Sequence, residues 1–105
     1  MFGSIKGIFM SSDKAQIKEA ISQGAFLVDV RSPAEFSSGS IKGSVNIPLD
    51  KIIPQLPKFK GKKAIVVFCR SGSRSAQAKS ILEGSGFQNV INGGSWTAVN
   101  EIMNG

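Results

Sequence analysis

Apolar residues in this chain are grouped in two ways, as short runs and as positions at helical spacing. The run Phe26–Val30, which includes Asp29, predicts a short buried strand, and the uninterrupted run Ala64–Phe68 is typical of a strand covered on both faces. The spaced positions predict one helix before the first run and another after the second. This alternation predicts an α/β fold with a small, mostly parallel sheet flanked by helices on both faces. The spaced positions are Ile17, Ala20 and Ile21, then Ala78, Ile81 and Leu82.

Turn and capping residues divide the first half of the chain into shorter elements. Asp13–Gln16 has the pattern of a capping box at the start of the first helix, and Pro33 suits the first position of another. Two prolines within residues 49–59 exclude one long helix and predict short helical turns. A brief strand is expected at residues 44–47.

The end of the chain contains another strand and a last helix. Residues 88–91 predict a short strand. We expect Gly93–Gly94 to turn the chain into a helix that runs from about Ser95 to Met103. The second long helix, before this strand, is expected to reach Glu83.

The only cysteine lies where the second apolar run ends. Cys69 is followed by a short polar loop that leads into a helix. Backbone N–H groups at a helix N-terminus, together with the peptide dipoles, favour negative charge. The thiol therefore heads a loop suited to an anion, at the carboxyl edge of the sheet where ligands of such folds bind. The loop residues are Arg70, Ser71, Gly72, Ser73, Arg74 and Ser75.

The residue types in this loop suit thiolate chemistry. Helix N-termini and neighbouring arginines lower the pKa of a cysteine, and the thiolate is the nucleophile. Arg70 and Arg74 offer guanidinium groups that fit oxyanions. Gly72 permits a tight bend, and one of Ser73 and Ser75 is expected to cap the helix. An inert core thiol is the alternative, but two cations following so closely argue against an apolar packing site.

The composition excludes several kinds of site. The 105 residues include 13 Lys and Arg, 7 Asp and Glu and no histidine, for a net charge of +6. Without histidine, Cys–His and Ser–His–Asp catalysis and His-ligated metal sites are excluded. We expect no metal and no other cofactor. Lys58, Lys60, Lys62 and Lys63 form a basic cluster typical of a solvated turn, and we expect no nucleic-acid partner.

Length and hydropathy bear on organisation and compartment. The length fits one domain, which we expect to be monomeric. No apolar stretch is long enough for a membrane span, and the opening residues lack the pattern of a signal peptide. A single cysteine cannot form an internal disulfide. We therefore expect a cytoplasmic protein with no membrane partner, or a periplasmic one if a signal peptide has been removed.

Several short motifs occur in a recognisable order. They are Asp29–Arg31 with Glu35–Phe36, Gly39–Pro48, Cys69–Ser75 and Gly93–Gly94. Together they resemble the rhodanese family of sulfurtransferases, and the resemblance runs from Phe26 to about Met103. Two positions depart from the family pattern. Ser40 stands where many members have histidine, and Trp96 lies closer to the glycine pair than usual.

The resemblance implies a single three-layer rhodanese-like domain over residues 1–105, with its core at about 12–103. It also implies a persulfide mechanism. The Cys69 thiolate takes the outer sulfur of thiosulfate or a related donor, and sulfite leaves. A thiol, a protein or, in vitro, cyanide then accepts the sulfur. Residues Arg70–Ser75 are expected to bind the donor.

Four further residues are expected to support this site. Asp29 lies inside a buried strand, where an ionised carboxylate needs a partner. Asp29 and Arg31 should pair with backbone or loop groups and brace the thiol loop. Glu35 is expected as a surface residue or a partner of Arg31. Trp96 is expected in the core or at the rim of the pocket.

Other functions remain open from the sequence. A rhodanese-like module can serve as a non-catalytic docking or regulatory domain, because fold alone does not establish activity. A carrier that takes sulfur from one protein and passes it to another would keep the same loop. A cysteine-dependent phosphatase or arsenate reductase is disfavoured. Its arginine lies one residue further from the cysteine, where this chain has Ser75.

Overall fold

The computed structural model describes residues 14–105. The predicted capping box depends on Asp13, which lies outside the described residues, as do the opening residues of the chain. The helices are α1 (Lys14–Ser22), α2 (Pro33–Ser38), α3 (Ser73–Gly84) and α4 (Trp96–Asn104). None of the helices in this part of the chain is both long and apolar enough to cross a membrane.

A four-stranded sheet organises the fold, with strands in the order β2-β1-β3-β4. All neighbouring strands run parallel. Every residue of the central strand β3 is buried, as expected for a strand covered on both faces. The predicted mostly parallel sheet is therefore confirmed. The strands are β1 (Phe26–Asp29), β2 (Val45–Asn46), β3 (Ile65–Cys69) and β4 (Val90–Ser95).

Short helical turns connect β2 to β3, as the prolines predict. They are 3-10 helices at Leu49–Lys51 and Ile53–Phe59, and Phe59 is fully buried. Pro57 lies inside the second turn, where a longer α-helix would lose a backbone hydrogen bond.

The two faces of the sheet have separate cores, because alternate residues of a strand point to opposite sides. On one side, Val67 and Cys69 of β3 pack with Leu82 of α3. On the other side, Val66 packs in a cluster with Val99 of α4 and residues of α1. The fold is thus three layers, and Cys69 points toward the α3 layer.

The prediction for the last strand is wrong in its extent. Gly93 and Gly94 do not form a turn after a strand at 88–91, because β4 continues through both glycines to Ser95. Phe68 pairs with Gly94, so Gly93 forms a bulge in the register. A Cβ atom at Gly93 would lie 2.9 Å from Val99 and 3.0 Å from Val66. Glycine therefore permits the close approach of α4 to the sheet.

Candidate active site

Cys69 is the last residue of β3, and its sulfur accepts hydrogen bonds from the loop that follows. The Gly72 N–H donates to Cys69 Sγ at 3.0 Å and the Ser75 N–H at 3.4 Å. The Ser75 hydroxyl oxygen lies 3.5 Å from the same sulfur. Cys69 is fully buried, yet it is surrounded by polar donors rather than by side-chain carbon alone. This arrangement is suited to a sulfur that carries negative charge.

Gly72 gives the loop its shape. It is the N-cap of α3 and has φ +105°, a left-handed conformation that other residues rarely adopt. The expectation that Ser73 or Ser75 caps the helix is wrong, because the N-cap is Gly72 and has no side-chain hydrogen bond. Ser73 is already the first helical residue. The Ser75 hydroxyl is turned inward, 3.0 Å from the Gly72 carbonyl oxygen.

The hydrogen bonds to the sulfur change its acidity. Burial raises the pKa of the Cys69 thiol, but the hydrogen-bonding contact with the Ser75 side chain and the hydrogen bonds from the Ser75 and Gly72 N–H groups outweigh it. The net effect is a pKa below the ordinary value of 9.0. A lowered pKa increases the thiolate fraction near neutral pH.

The two loop arginines differ in their surroundings. Arg74 donates to both carboxylate oxygens of Glu35, at 2.7 and 3.0 Å. Arg70 is exposed, and among residues 14–105 it makes no hydrogen bond or ion pair. Ser71 and Ser73 are exposed as well. The loop therefore has one cation held by a carboxylate and another with its donors available.

Glu35 forms its ion pair with Arg74 and not with Arg31, so the prediction that it pairs with Arg31 is wrong. It forms a capping box with Ser32 at the start of α2, and its carboxylate also accepts hydrogen bonds from Arg74 of α3. Hydrogen bonds from Arg74 and from the Ser32 backbone lower the pKa of Glu35 to about 2. The same carboxylate raises the pKa of Arg74.

Asp29 and Arg31 pair with each other at the end of β1. Two guanidinium nitrogens of Arg31 donate to the Asp29 carboxylate at 2.7 to 3.0 Å, and both residues are buried. Residues two apart in an extended segment lie on the same side, which places both groups together. Arg31 also donates to the Gly39 carbonyl oxygen at 2.6 Å and lies 4.7 Å from the Trp96 ring centroid. Within residues 14–105 the pair makes no hydrogen bond to the thiol loop, so the expected bracing contact is not observed.

Sequence reasoning missed Asn92, which connects β4 to the thiol loop. Its Oδ1 lies 2.7 Å from the Ser75 hydroxyl and accepts the Gly94 N–H at 2.9 Å. Its Nδ2 lies 3.4 Å from the Gly72 carbonyl oxygen. The available signal was a polar side chain in a strand beside the glycine pair, since such a side chain needs partners.

Cavities occur on both sides of the sheet. One of about 250 Å³ adjoins the thiol loop at Arg74. A larger one of about 300 Å³ lies between α1 and α4, on the opposite side of the sheet from α3, so it is not part of this site. The lining of the smaller cavity is Val30, Ser32, Pro48, Leu49, Asp50 and Arg74.

Known proteins share this sequence pattern. Residues 13–101 match the sequence profile of the rhodanese-like domain. A protein of Allochromatium vinosum named "Sulfurtransferase" is 31% identical over 83 residues, covering 79% of this chain and 78% of that protein. "Thiosulfate sulfurtransferase GlpE" of Pseudomonas syringae is 39% identical over 74 residues, covering 69% of this chain and 70% of that protein. The chain spans only 59% and 54% of relatives from Schizosaccharomyces pombe and Bacillus subtilis.

The fold has similar solved structures. The "rhodanese with anions from E. coli" has a TM-score of 0.66 and 30% identity, covering 71% of this chain and 91% of that one. The "Human Single Domain Sulfurtranferase TSTD1" has a TM-score of 0.65 and 25% identity, covering 83% of this chain and 91% of that one. Since the profile, the relatives and the fold agree, this chain belongs to the rhodanese-like domain family.

Proposed function

We propose that this chain is a sulfurtransferase that moves a sulfur atom from an anionic donor to a thiophilic acceptor through a persulfide on Cys69. The observation that carries the proposal is the convergence of the Gly72 and Ser75 N–H groups on Cys69 Sγ, at 3.0 and 3.4 Å. Fixed donors at these distances stabilise negative charge on sulfur without a histidine base.

The reaction with thiosulfate balances without an added oxidant. The Cys69 thiolate attacks the outer sulfur, and a new sulfur–sulfur bond forms as the one in thiosulfate breaks. Sulfite leaves with the bonding electron pair. An acceptor thiolate, or cyanide in an assay, then attacks the outer sulfur of the persulfide and restores the Cys69 thiolate.

The same backbone donors serve each charged state in this cycle. The resting thiolate and the persulfide are both anionic, and the loop amides need no rearrangement to stabilise either of them. The lowered pKa of the Cys69 thiol supports a thiolate as the resting nucleophile.

The exposed cation of the loop is the best candidate for the donor's oxyanion. The guanidinium group of Arg70 makes no hydrogen bond to any of the described residues, whereas Arg74 already donates to both oxygens of Glu35. We assign Arg70 to the first contact with the donor. Arg74 contributes positive charge near the sulfur, while Ser71 and Ser73 offer exposed hydroxyls.

The tight loop favours a small donor. Cys69 has no exposed surface, and Gly72 and Ser75 leave little space around its sulfur. A terminal sulfur atom enters such a site more easily than a phosphoryl group with its ring of oxygens. This supports sulfur transfer over the phosphatase or arsenate reductase alternative.

Intact mass measured after exposure to thiosulfate tests the proposal. We expect the protein to gain one sulfur atom, which a reducing agent removes and which Cys69→Ser prevents. Ser85→Ala is a matched control, since Ser85 lies at the far end of α3, and it should load normally. A gain of mass that persists in Cys69→Ser would contradict the assignment of the nucleophile.

Further assays separate the alternatives. A non-catalytic docking module would not load sulfur at all. A carrier would load from a protein persulfide but turn over thiosulfate and cyanide poorly. An aryl phosphate should release no product under conditions in which thiosulfate reacts.

The proposal also covers the acceptor, the oligomeric state and the compartment of the protein. We propose a thiol or a protein as the physiological acceptor, and a monomer that acts in a reducing cytoplasm. A reducing compartment would keep the free Cys69 available for the donor.

A further inference from the structure

The Ser75 hydroxyl has one proton and three acceptors within reach. Its oxygen lies 2.7 Å from Asn92 Oδ1, 3.0 Å from the Gly72 carbonyl oxygen and 3.5 Å from Cys69 Sγ. Only one of these can receive the proton at a time. Where the proton goes decides whether Ser75 donates to the sulfur or accepts from it.

The partners of Asn92 fix which end of its amide faces Ser75. The Gly94 N–H can only donate, and it lies 2.9 Å from Oδ1. The Gly72 carbonyl oxygen can only accept, and it lies 3.4 Å from Nδ2. The amide oxygen must therefore face the Ser75 hydroxyl, at the shortest of that hydroxyl's three distances.

With its proton directed to Asn92, Ser75 presents a lone pair to the sulfur. That arrangement suits a neutral Cys69 thiol, whose S–H can donate to the hydroxyl oxygen. A thiolate instead needs the hydroxyl to turn from Asn92 to sulfur. Asn92 Oδ1 and the thiolate therefore compete for the same proton, with the Gly72 carbonyl oxygen as a third acceptor that is present in every variant.

We propose that Asn92 is a positioning residue that competes with Cys69 Sγ for the Ser75 hydroxyl proton and thereby limits how readily the thiolate forms. The inference rests on the proposed function, because control of thiolate formation matters for catalysis only if the thiolate is the nucleophile. Its geometry does not depend on which donor supplies the sulfur.

The charged surroundings of the sulfur stay the same when only the uncharged residues 75 and 92 are replaced by uncharged ones. β4 carries no titratable side chain. The charged groups on the other elements around Cys69 are the Arg74–Glu35 pair, the Asp29–Arg31 pair, the Lys79–Glu83 pair of α3, the exposed Arg70, and the exposed Asp50 and Lys51 beside α3.

The rate of Cys69 alkylation by iodoacetamide, followed against pH, tests the proposal. We expect Asn92→Ala to shift the midpoint of this profile down by about half a pH unit to one unit, because the hydroxyl loses its nearest acceptor and a charged thiolate competes better than the neutral Gly72 carbonyl oxygen that remains. Asn92→Asp has nearly the same shape and keeps the oxygen that faces Ser75, although it loses the long Nδ2 contact to the Gly72 carbonyl oxygen. It should shift the midpoint up by about one unit, because a carboxylate holds the proton more strongly and adds negative charge.

A Ser75→Ala background separates the hydroxyl from other effects. In that background Asn92→Ala should no longer lower the midpoint, and Asn92→Asp should raise it by less, since only its charge remains. Asn89→Ala is the matched control, because Asn89 bonds the Lys62 and Lys63 carbonyl oxygens at the opposite end of the sheet. It should leave the profile unchanged.

Each result decides the question. An unchanged or raised midpoint in Asn92→Ala, or equal shifts with and without Ser75, would overturn the proposal. If Asn92→Ala does not fold, the comparison of Asn92→Asp in the two backgrounds gives the answer. Alkylation uses no thiosulfate, so failure of sulfur transfer would appear in the mass experiment and not here.

Discussion

Arg74 and Glu35 form a two-point ion pair that joins the beginning of α3 to the beginning of α2, with N–O distances of 2.7 and 3.0 Å. Glu35 is also part of the capping box of α2, so its carboxylate is held from both sides. The pair fixes the arginine nearest to the end of the thiol loop. It also removes that arginine's best donors from any incoming anion, which leaves Arg70 as the more available cation.

This ion pair predicts a distinct response of stability to acid. The pKa of Glu35 is about 2 in the folded protein against an ordinary 4.5, so the folded state binds this proton less readily than the unfolded state. The contribution of the pair is therefore fully present above about pH 4.5 and is lost as the pH falls toward 2.

Glu35→Gln should accordingly be less stable than the parent protein at neutral pH and equally stable near pH 2. Urea unfolding from pH 2 to 7 measures the difference. Glu101→Gln is the control on exposed surface, since Glu101 forms no ion pair with the described residues. A stability difference that stays constant over this range would contradict the assigned role of the charge.

The two arginines should differ in their effect on thiosulfate. Arg70→Ala should raise the thiosulfate KM by about tenfold, because a charge-assisted contact to the donor is lost. Arg74→Ala should raise it by about threefold, since Arg74 is already engaged by Glu35. Steady-state kinetics with cyanide as acceptor measures both values. Lys79→Ala removes a paired surface cation of α3 and should leave KM unchanged. A larger effect at Arg74 than at Arg70 would reverse the assignment.

The strands that could be predicted from the sequence are those with a clear pattern of apolar side chains. β1 and β3 follow short, largely apolar runs, and the burial of β3 confirms the prediction of a strand covered on both faces. The end of β4 was missed because Gly93 and Gly94 have no side chains to continue a hydrophobic pattern. Their role depends on the packing of α4, which the local sequence does not contain.

The candidate site could be predicted only in outline. The position of Cys69 before a helix N-terminus follows from the order of the elements along the chain. The partner of Glu35 does not follow from that order, because Arg74 lies 39 residues away from it. Whether Glu35 pairs with Arg31 or with Arg74 depends on how α2 and α3 pack. Asn92 was missed for the same reason, since its partners Gly72 and Ser75 lie at the beginning of α3, far from it in the sequence.

The buried pair at the end of β1 should contribute strongly to stability. Asp29→Ala leaves the Arg31 guanidinium buried without its carboxylate, and we expect a loss of about 3–5 kcal/mol in the free energy of unfolding. Urea unfolding followed by Trp96 fluorescence measures it, because this ring lies against Arg31. Asp50→Ala, at an exposed position, should change stability by no more than about 0.5 kcal/mol. Equal effects of the two substitutions would show that the buried pair contributes no more to the free energy of unfolding than an exposed carboxylate does.

Gly72 allows the shape of the thiol loop to be tested separately from its charges. Gly72→Ala places a side chain at φ +105°, and we expect it to cost about 1–3 kcal/mol and to turn the Gly72 N–H away from Cys69 Sγ. The loss of that donor should raise the pKa of the thiol, so alkylation by iodoacetamide at neutral pH should slow. Gly84→Ala is the matched control, because Gly84 is helical and a Cβ there meets nothing within 4 Å. It should leave alkylation unchanged and stabilise the protein by up to about 1 kcal/mol. If Gly72→Ala is less stable but is alkylated at the normal rate, the bend at Gly72 contributes only to folding. The Gly72 N–H would then not lower the pKa of the Cys69 thiol.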